Sequence, residues 1–399
     1  MITTIIQMAS ILIVIKNFPL FGEFFLNLLY TISIGEIKMN NKVTSTLKTI
    51  TTEQISKYHP DKYADQISDA IVTACLKGDK DSHVACETLV KDNTVVIAGE
   101  ITTKAEVDYE SVVRGVADSL GYKVDNIINL IAEQSPEINK AVVKDGTKKN
   151  LGAGDQGIVF GYAVNCPEHD YLPLGVWVTN QIIERIEQDV ENNPKTILKG
   201  DAKCQVVDTD GRITEVLISA CRKEGKKGIN DEVYVSSYIE NLISDIEEIK
   251  GAKFVINPSG KWTIGGPTGD SGLTGRKLVC DAYGGYAPIG GGCTSGKDLT
   301  KVDRSGAYIS RKIAVETLID NGFEDCLVQL SFGIGLSEPR SVSVVGHKKG
   351  FFGRIKEVDV SKEIAEKYDL SPNGIIENLN LEGVDLREIA SGNYAKRFC

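Results

Sequence analysis

Histidine is scarce in this chain. Only His59, His83, His169 and His347 occur in 399 residues, which argues against a metal centre built from several imidazoles. No C-x-x-C pair occurs among nine cysteines spread from Cys75 to Cys399, so the pattern suits neither a zinc site nor a disulfide framework, and a reducing cytosol is the natural compartment. Positive charge is also in deficit. With 45 Lys and Arg against 55 Asp and Glu, the net charge is -10, the wrong sign for a protein whose main partner is nucleic acid. Any phosphate chemistry must therefore use a local cationic pocket. Low-complexity tracts are absent, and so is a long uninterrupted apolar run. Residues 1–38 are strongly apolar, but Lys16, Pro19 and Glu23 divide them. Neither part reaches the roughly 18–20 residues that span a bilayer as a helix. The charge and small-residue pattern of a secretory signal is not clear either. These features favour Met39 as the translation start over a membrane-associating leader or an ordered extension, and a membrane is not an expected partner.

What is present is enough for a sizeable core. At 42% apolar residues, the chain is expected to form two or three domains. From Met39 onward strand-like and helix-like stretches alternate without a long linker. "TVVIAGEITT" reads as a strand, "CQVVDTDGRITEVLISA" as a hairpin turning at Asp210-Gly211, and "CLVQLSFGIG" with "RSVSVVGH" as a strand pair. Helices are expected after Pro60, around "YESVVRGVADSLG", around "TNQIIERIEQDV" and after Asp303. In "DEVYVSSYIENLISDIEEIKG" the apolar residues from Val235 to Ile246 recur at helical spacing, predicting a helix that ends at Gly251. The fold class is α+β, in three successive units of strands with covering helices. The expected boundaries are 1–38 for the extension, then 46–134, 149–262 and 264–399.

Several glycine-rich stretches carry charge of both signs. "GGGCTSGKDLTKVDR" has the G-x-x-x-x-G-K spacing of a P-loop at Gly291, Gly296 and Lys297, but Asp298 stands where a P-loop needs a hydroxyl. "HPDKYADQISDAI" places His59 before a helix start at Pro60, with Asp61 and Lys62 in the first turn, where a helix N-terminus favours anions. "GAGDQGIVFGYA" sets Asp155 among glycines. "GDAKCQV" supplies Asp201 and Lys203, and "KWTIGGPTGDSGLTGRK" supplies Lys261, Trp262, Asp270, Arg276 and Lys277. One such residue alone would be an ordinary surface charge. Five charged segments together, most of them glycine-rich, are what binding an anion through Mg²⁺ and Lys or Arg requires.

These motifs, His59-Pro-Asp-Lys62, "ACET" around Cys86, "GEITT" from Gly99, "GAGDQG" from Gly152, "DAK" from Asp201, "GGPTGDSGLTGRK" from Gly265 and "GGGCTSGKDLTKVDRS" from Gly290, resemble those of the methionine adenosyltransferases, the S-adenosylmethionine synthetases. They occur in the family's order from about residue 50 to the C-terminus. The resemblance implies three similar α+β domains in a pseudo-threefold arrangement, and active sites between two subunits of a homodimer, often paired into a tetramer. It implies that ATP and L-methionine give S-adenosylmethionine, with the triphosphate cut to phosphate and pyrophosphate. A thioether sulfur has no proton to lose, so its attack on the ribose C5′ needs no general base. What it needs is stabilisation of a highly charged leaving group.

By the same resemblance, His59, Lys203, Arg276, Lys297 and Lys301 would be catalytic. ATP would meet His59, Asp201, Lys203, Lys261, Trp262, Asp270, Arg276, Lys277, Cys293 and Lys297, with the Trp262 ring stacked on adenine. Methionine would meet Glu100, Gln134, Asp155, Asp270 and Lys301. About two Mg²⁺ ions per site would be held at Asp61 and Asp303, and K⁺ at Glu87. Residues 135–148 fall where the family has a mobile gate.

The chain departs from the pattern in places. Ser56-Lys57-Tyr58 stands where the family usually reads S-E-G, and Cys293-Thr294 where it reads Ala-Phe. The stretch "GYKVDNIINLIAEQ" is short, and "NYAKRFC" ends without the usual tail. If Lys57 reaches the triphosphate, its added charge is expected to slow product release. A divergent, non-catalytic paralogue that binds nucleotide or partners an active subunit is the alternative. Retention of nearly every charged residue the chemistry needs weighs against it, because buried charges without a ligand cost stability.

Overall fold

The structure, a computed structural model, describes residues 48–133, 151–224, 232–350 and 354–398. The apolar extension, Gln134 and the expected gate at 135–148 lie outside the described residues. In chain order the main elements are β1 (Thr49–Ile55), α1 (Pro60–Gly78), β2 (His83–Lys91), β3 (Thr94–Thr102), α2 (Tyr109–Leu120), β4 (Asn126–Ala132), β5 (Gly157–Val164) and α3 (Leu174–Asn192). They continue with β6 (Leu198–Thr209), β7 (Arg212–Arg222), α4 (Glu232–Leu242), β8 (Lys253–Ile256), β9 (Gly272–Leu273), α5 (Val302–Asn321), β10 (Asp325–Phe332), β11 (Ser341–Lys349) and β12 (Ile355–Asp359). The class is α+β, and the strands form three four-stranded sheets of order β1-β6-β7-β8, β12-β11-β10-β5 and β4-β3-β2-β9.

The sheets are not assembled from successive stretches of chain. β1, from the first stretch, pairs antiparallel with β6 of the second. β5, from the second, pairs antiparallel with β10 of the third. β9, from the third, pairs with β2 of the first. Each stretch lends one edge strand to another, in a closed cycle. Such pairings leave no local signal in sequence, because the partners are separated by a hundred residues or more.

Local elements follow from familiar causes. On β2 the side chains of Val84, Cys86, Thr88 and Val90 alternate inward, as a strand with one covered face requires. The β6–β7 hairpin turns where Asp210 and Gly211 both take positive φ, 51° and 78°, the requirement of a tight primed turn. The expected helix from Val235 to Gly251 is shorter. α4 stops at Leu242, and the chain then folds back so that Ile243, Ile246 and Ile249 still reach the same core. The apolar spacing continues past the helix end because a turn and a helical extension can bury the same side chains.

An unusual share of the interior is charged. α1 carries Asp61, Asp65 and Asp69 at i, i+4 and i+8, one above another on a single face. All three are buried. Each accepts a backbone N–H from a glycine-rich loop: Leu273 N to Asp61 at 3.0 Å, Gly275 N to Asp65 at 2.9 Å and Gly296 N to Asp69 at 2.7 Å. Two fully buried cations complete the network, Lys62 against Asp281 and Arg304 against Asp69. Gly296 itself needs its positive φ, and a Cβ there would lie 2.0 Å from the carbonyl oxygen of Cys86. Removing one member of a buried pair strands the other charge, at a cost of about 3–5 kcal/mol. Asp69→Ala is therefore expected to lower unfolding stability by about that amount, measured by urea denaturation; a change within about 0.5 kcal/mol would show that Arg304 finds another partner.

Candidate active site

His59 is the N-cap of α1, in extended conformation with Pro60 following in the first turn. Its Nδ1 accepts the backbone N–H of Asp61 at 3.1 Å. That bond fixes the tautomer, so the ring's remaining nitrogen, Nε2, carries the proton and is free to donate. Burial first, and then the nearby Lys277 ammonium, push the His59 pKa down to about 4, which keeps the imidazole neutral. Asp270 and Lys203 are also close enough to bias its charge.

Asp61, one residue into the helix, forms an ion pair with Lys277 and lies 3.5 Å from Nε of Arg276. Lys203 on β6 reaches back to Glu53 of β1 at 2.8 Å. Asp201, two residues earlier on β6, is buried, and one oxygen accepts the Gly266 N–H at 2.6 Å. Its Oδ1 is buried without a partner. Burial raises the Asp201 carboxyl to about 6.

The loop 290–301 packs beside this group, with Cys293 against Gly275. It docks on the β2 edge through an isolated bridge between Ala85 and Lys297, and Cys86 N donates to the Gly296 oxygen at 2.8 Å. Lys297 Nζ then lies 2.5 Å from Asp303 at the start of α5. Asp298, which ruled out a P-loop, is turned inward. It accepts the N–H groups of Val84 at 2.7 Å and Thr300 at 2.9 Å, with Lys301 Nζ 3.8 Å away. The carboxylate therefore anchors the loop and does not confront bound phosphate. Glycine is required where these loops meet, since Cβ atoms at Gly157 and Gly292 would lie 2.8 Å and 2.1 Å from the Asp303 carboxylate.

The remaining expected site residues fall in definite places. Trp262 is half-buried and donates from Nε1 to the Ile264 oxygen at 2.7 Å. Lys261 pairs with Glu224 at 2.9 Å, both exposed. Asp270 and Asp155 are exposed, each accepting the N–H of the next residue at 2.8 Å. Glu100 stands opposite Ala85 in the β2–β3 ladder, so Glu100, Ala85 and Lys297 occupy neighbouring positions. Glu87 lies two residues further along β2. Gly154 of the "GAGDQG" loop packs on Lys301. Cys293 packs against Gly275, and burial holds its thiol well above its ordinary pKa. Gln134 lies outside the described residues.

Lys57 does not turn toward these cations. It pairs with Glu191 of α3, while the Tyr58 ring is buried against Gly200. Reading the sequence also missed Asp65, Asp69 and Asp281, which hold the two loops and Lys62. The i, i+4, i+8 spacing of the first helix's acids was the available signal.

Lys277 and Lys203 thus lie near a neutral histidine at a helix N-terminus, Arg276 and Lys277 meet Asp61, and Lys297 meets Asp303, within a three-sheet α+β fold. Cations gathered at a helix N-terminus give the site the chemistry to hold an anion. The chain belongs to the S-adenosylmethionine synthetase family: its N-terminal domain matches residues 47–144, its central domain 150–262 and its C-terminal domain 264–397. A solved structure described as an unusual S-adenosylmethionine synthetase from Campylobacter jejuni is similar. It is 32% identical, covers 88% of this chain and 97% of its own, and superposes with a TM-score of 0.75. Among the described residues no helix is long and apolar enough to cross a membrane.

The depressed His59 pKa has a measurable sign. The folded state binds fewer protons than the unfolded chain between about 4 and 6.5, so this group's contribution to stability is present above 6.5 and is lost as pH falls toward 4. In ligand-free protein the His59 ring resonance, assigned with His59→Asn, is expected to keep its neutral-form shift through pH 6.5 and to move only near about 4. A midpoint near 6.5 would contradict the buried, Lys277-facing environment.

Proposed function

We propose that the protein is a methionine adenosyltransferase, forming S-adenosylmethionine from ATP and L-methionine with hydrolysis of the triphosphate to phosphate and pyrophosphate. Family membership along residues 47–397 supports the reaction class. The observation that carries the reading is the gathering of Lys277 and Arg276 on Asp61 and of Lys297 on Asp303. In the free protein these carboxylates are held by lysines. A triphosphate would draw the cations to itself and release the carboxylates.

Sulfur attack at C5′ breaks the bond to the triphosphate, and negative charge accumulates on the bridging oxygen. His59 Nε2–H, at the helix N-terminus, would donate to that oxygen. Lys203, Arg276, Lys277 and Lys297 would bind the phosphate oxygens, each electrostatic contact being worth roughly 10² to 10³ in rate. Asp201 would accept a donor from substrate at its unpartnered oxygen. Lys301, Glu100, Asp155, Asp270 and Gln134 are proposed for methionine, and Trp262, Lys261 and Cys293 for the nucleotide.

Among the described residues no three His, Cys, Asp or Glu side chains form a metal cage. That suits Mg²⁺, which is usually held by one or two carboxylates with substrate phosphates. Asp61 and Asp303 would hold it, and it would neutralise charge on the leaving group; Glu87 would serve K⁺. A reducing cytosol fits the eight free cysteines among the described residues.

A homodimer, or a pair of dimers, is part of the same reading. Leu273, Leu89, Val96 and Ile128 line up across four strands on the outer face of the first stretch's sheet, beside Leu130, which is 61% exposed. A contiguous apolar row of this kind calls for a cover, and a second copy supplies one. Leu89→Asp with Ile128→Asp is expected to give a smaller species by light scattering and to abolish turnover. A variant that keeps its size would remove this face from the assembly.

For the chemistry, Lys297→Ala or Asp303→Asn is expected to lower turnover at least about hundredfold with the circular dichroism spectrum intact. Purified protein is given ATP, methionine, Mg²⁺ and K⁺, and the sulfonium product is followed by mass spectrometry. Unchanged turnover in either variant would remove this loop from the triphosphate site.

A further inference from the structure

The turn that carries His59 is tied down at almost every polar backbone group. Ser56 N donates to the Ala202 oxygen at 2.9 Å, and Ala202 N returns a bond to Ser56 Oγ at 3.1 Å. His59 N donates to the Ser56 oxygen at 3.0 Å, Gln66 Nε2 to the Lys57 oxygen at 2.8 Å, and the Tyr122 hydroxyl to the Tyr58 oxygen. A further donor, Lys57 N, gives its bond to Oε1 of Glu187 on α3 at 2.7 Å. One turn further along α3, Glu191 takes the Lys57 ammonium as an ion pair, and the Tyr58 hydroxyl lies 3.5 Å from Glu191 Oε1. The Lys57 ammonium also sits 5.7 Å from the centre of the Tyr58 ring.

Lys57 and Tyr58 are where the chain departs from the family's S-E-G, and the structure supplies the compensation for both. A glutamate at 57 would face the carboxylates of Glu187 and Glu191. A glycine at 58 would leave a hollow over Gly200, where even an added Cβ would lie 2.6 Å from the present ring. We propose that Glu187 and Glu191 are positioning residues for His59, acting through Lys57 and Tyr58. The proposal rests on the adenosyltransferase reading only for the reaction in which His59 is used. Neither carboxylate needs to touch substrate. Together they set where the first residue of α1 begins, and hence where Nε2–H points. A misplacement of about 1 Å at such a group can cost about hundredfold in rate. The Lys57–Glu191 pair is partly exposed, so solvent screens it, and its role is direction more than stability.

The test uses the full chain and reads kcat, KM for ATP, and the ¹⁵N signals of the His59 ring. Lys57→Glu places like charges together and is expected to lower kcat about tenfold, with KM for ATP changed less than about twofold. Adding Glu191→Lys restores an opposite pair, and kcat is expected to return to within about threefold of the parent. Glu187→Gln keeps an oxygen acceptor for Lys57 N–H and retains kcat, whereas Glu187→Ala lowers it as Lys57→Glu does. In the parent the His59 ring should show an unprotonated Nδ1 and a protonated Nε2; in Lys57→Glu and Glu187→Ala the two signals should move toward each other, and in the charge-swapped pair they should separate again. Unaltered kcat and ring signals in Lys57→Glu, or a swap that restores neither, would overturn the proposal. If the parent forms no sulfonium product, the functional reading fails, and the ring signals decide the positioning role by themselves.

Discussion

Everything around the site hangs on the acid stripe of the first helix. Asp61, Asp65 and Asp69 each receive a backbone N–H from a loop that has few side chains of its own to pack. Glycine-rich chain cannot be held by apolar burial, because it has almost no side chain to bury. Hydrogen bonds to charged acceptors are the strong alternative. The cost is three carboxylates in the interior, and burial pushes Asp65 to about 7 and Asp69 to about 6 against the pull of their neighbours. Lys62, Arg304 and the loop amides offset that cost, which is why removing any one partner should be felt by all the others.

This arrangement also separates holding from acting. Asp69, Asp281 and Asp298 spend their charge on Arg304, Lys62 and the loop backbone. Asp61 and Asp303 are paired instead with Lys277 and Lys297, which are not fully buried. Similar residues on the same segments therefore have different parts, decided by which way each points. His59 belongs to the holding group through Nδ1, which caps the helix, and its proton sits on Nε2.

The cyclic exchange of edge strands has a mechanical consequence. β6 carries Asp201 and Lys203 and is paired directly with β1, which leads into His59. β2 carries Glu87 and is paired with β9, which leads into Arg276 and Lys277. Each exchanged strand thus delivers a charged segment from one stretch of chain to the sheet of another. The backbone ladders bring these segments together, and the buried carboxylates then hold the loops between them.

The charged glycine-rich segments, the helix start at His59 and Pro60, and the Asp210-Gly211 hairpin were legible in the sequence, because spacing and turn chemistry act over a few residues. The α+β class was legible for the same reason, and the ordered motifs carried the family resemblance. The sequence could not say that Asp298 points inward, that Lys57 turns away to Glu191, or that the helix after Val235 stops at Leu242. Nor could it show that the three sheets trade edge strands. Those outcomes depend on partners far away along the chain, and a residue's neighbours in sequence carry no record of which carboxylate, loop amide or strand will meet it once the interior closes.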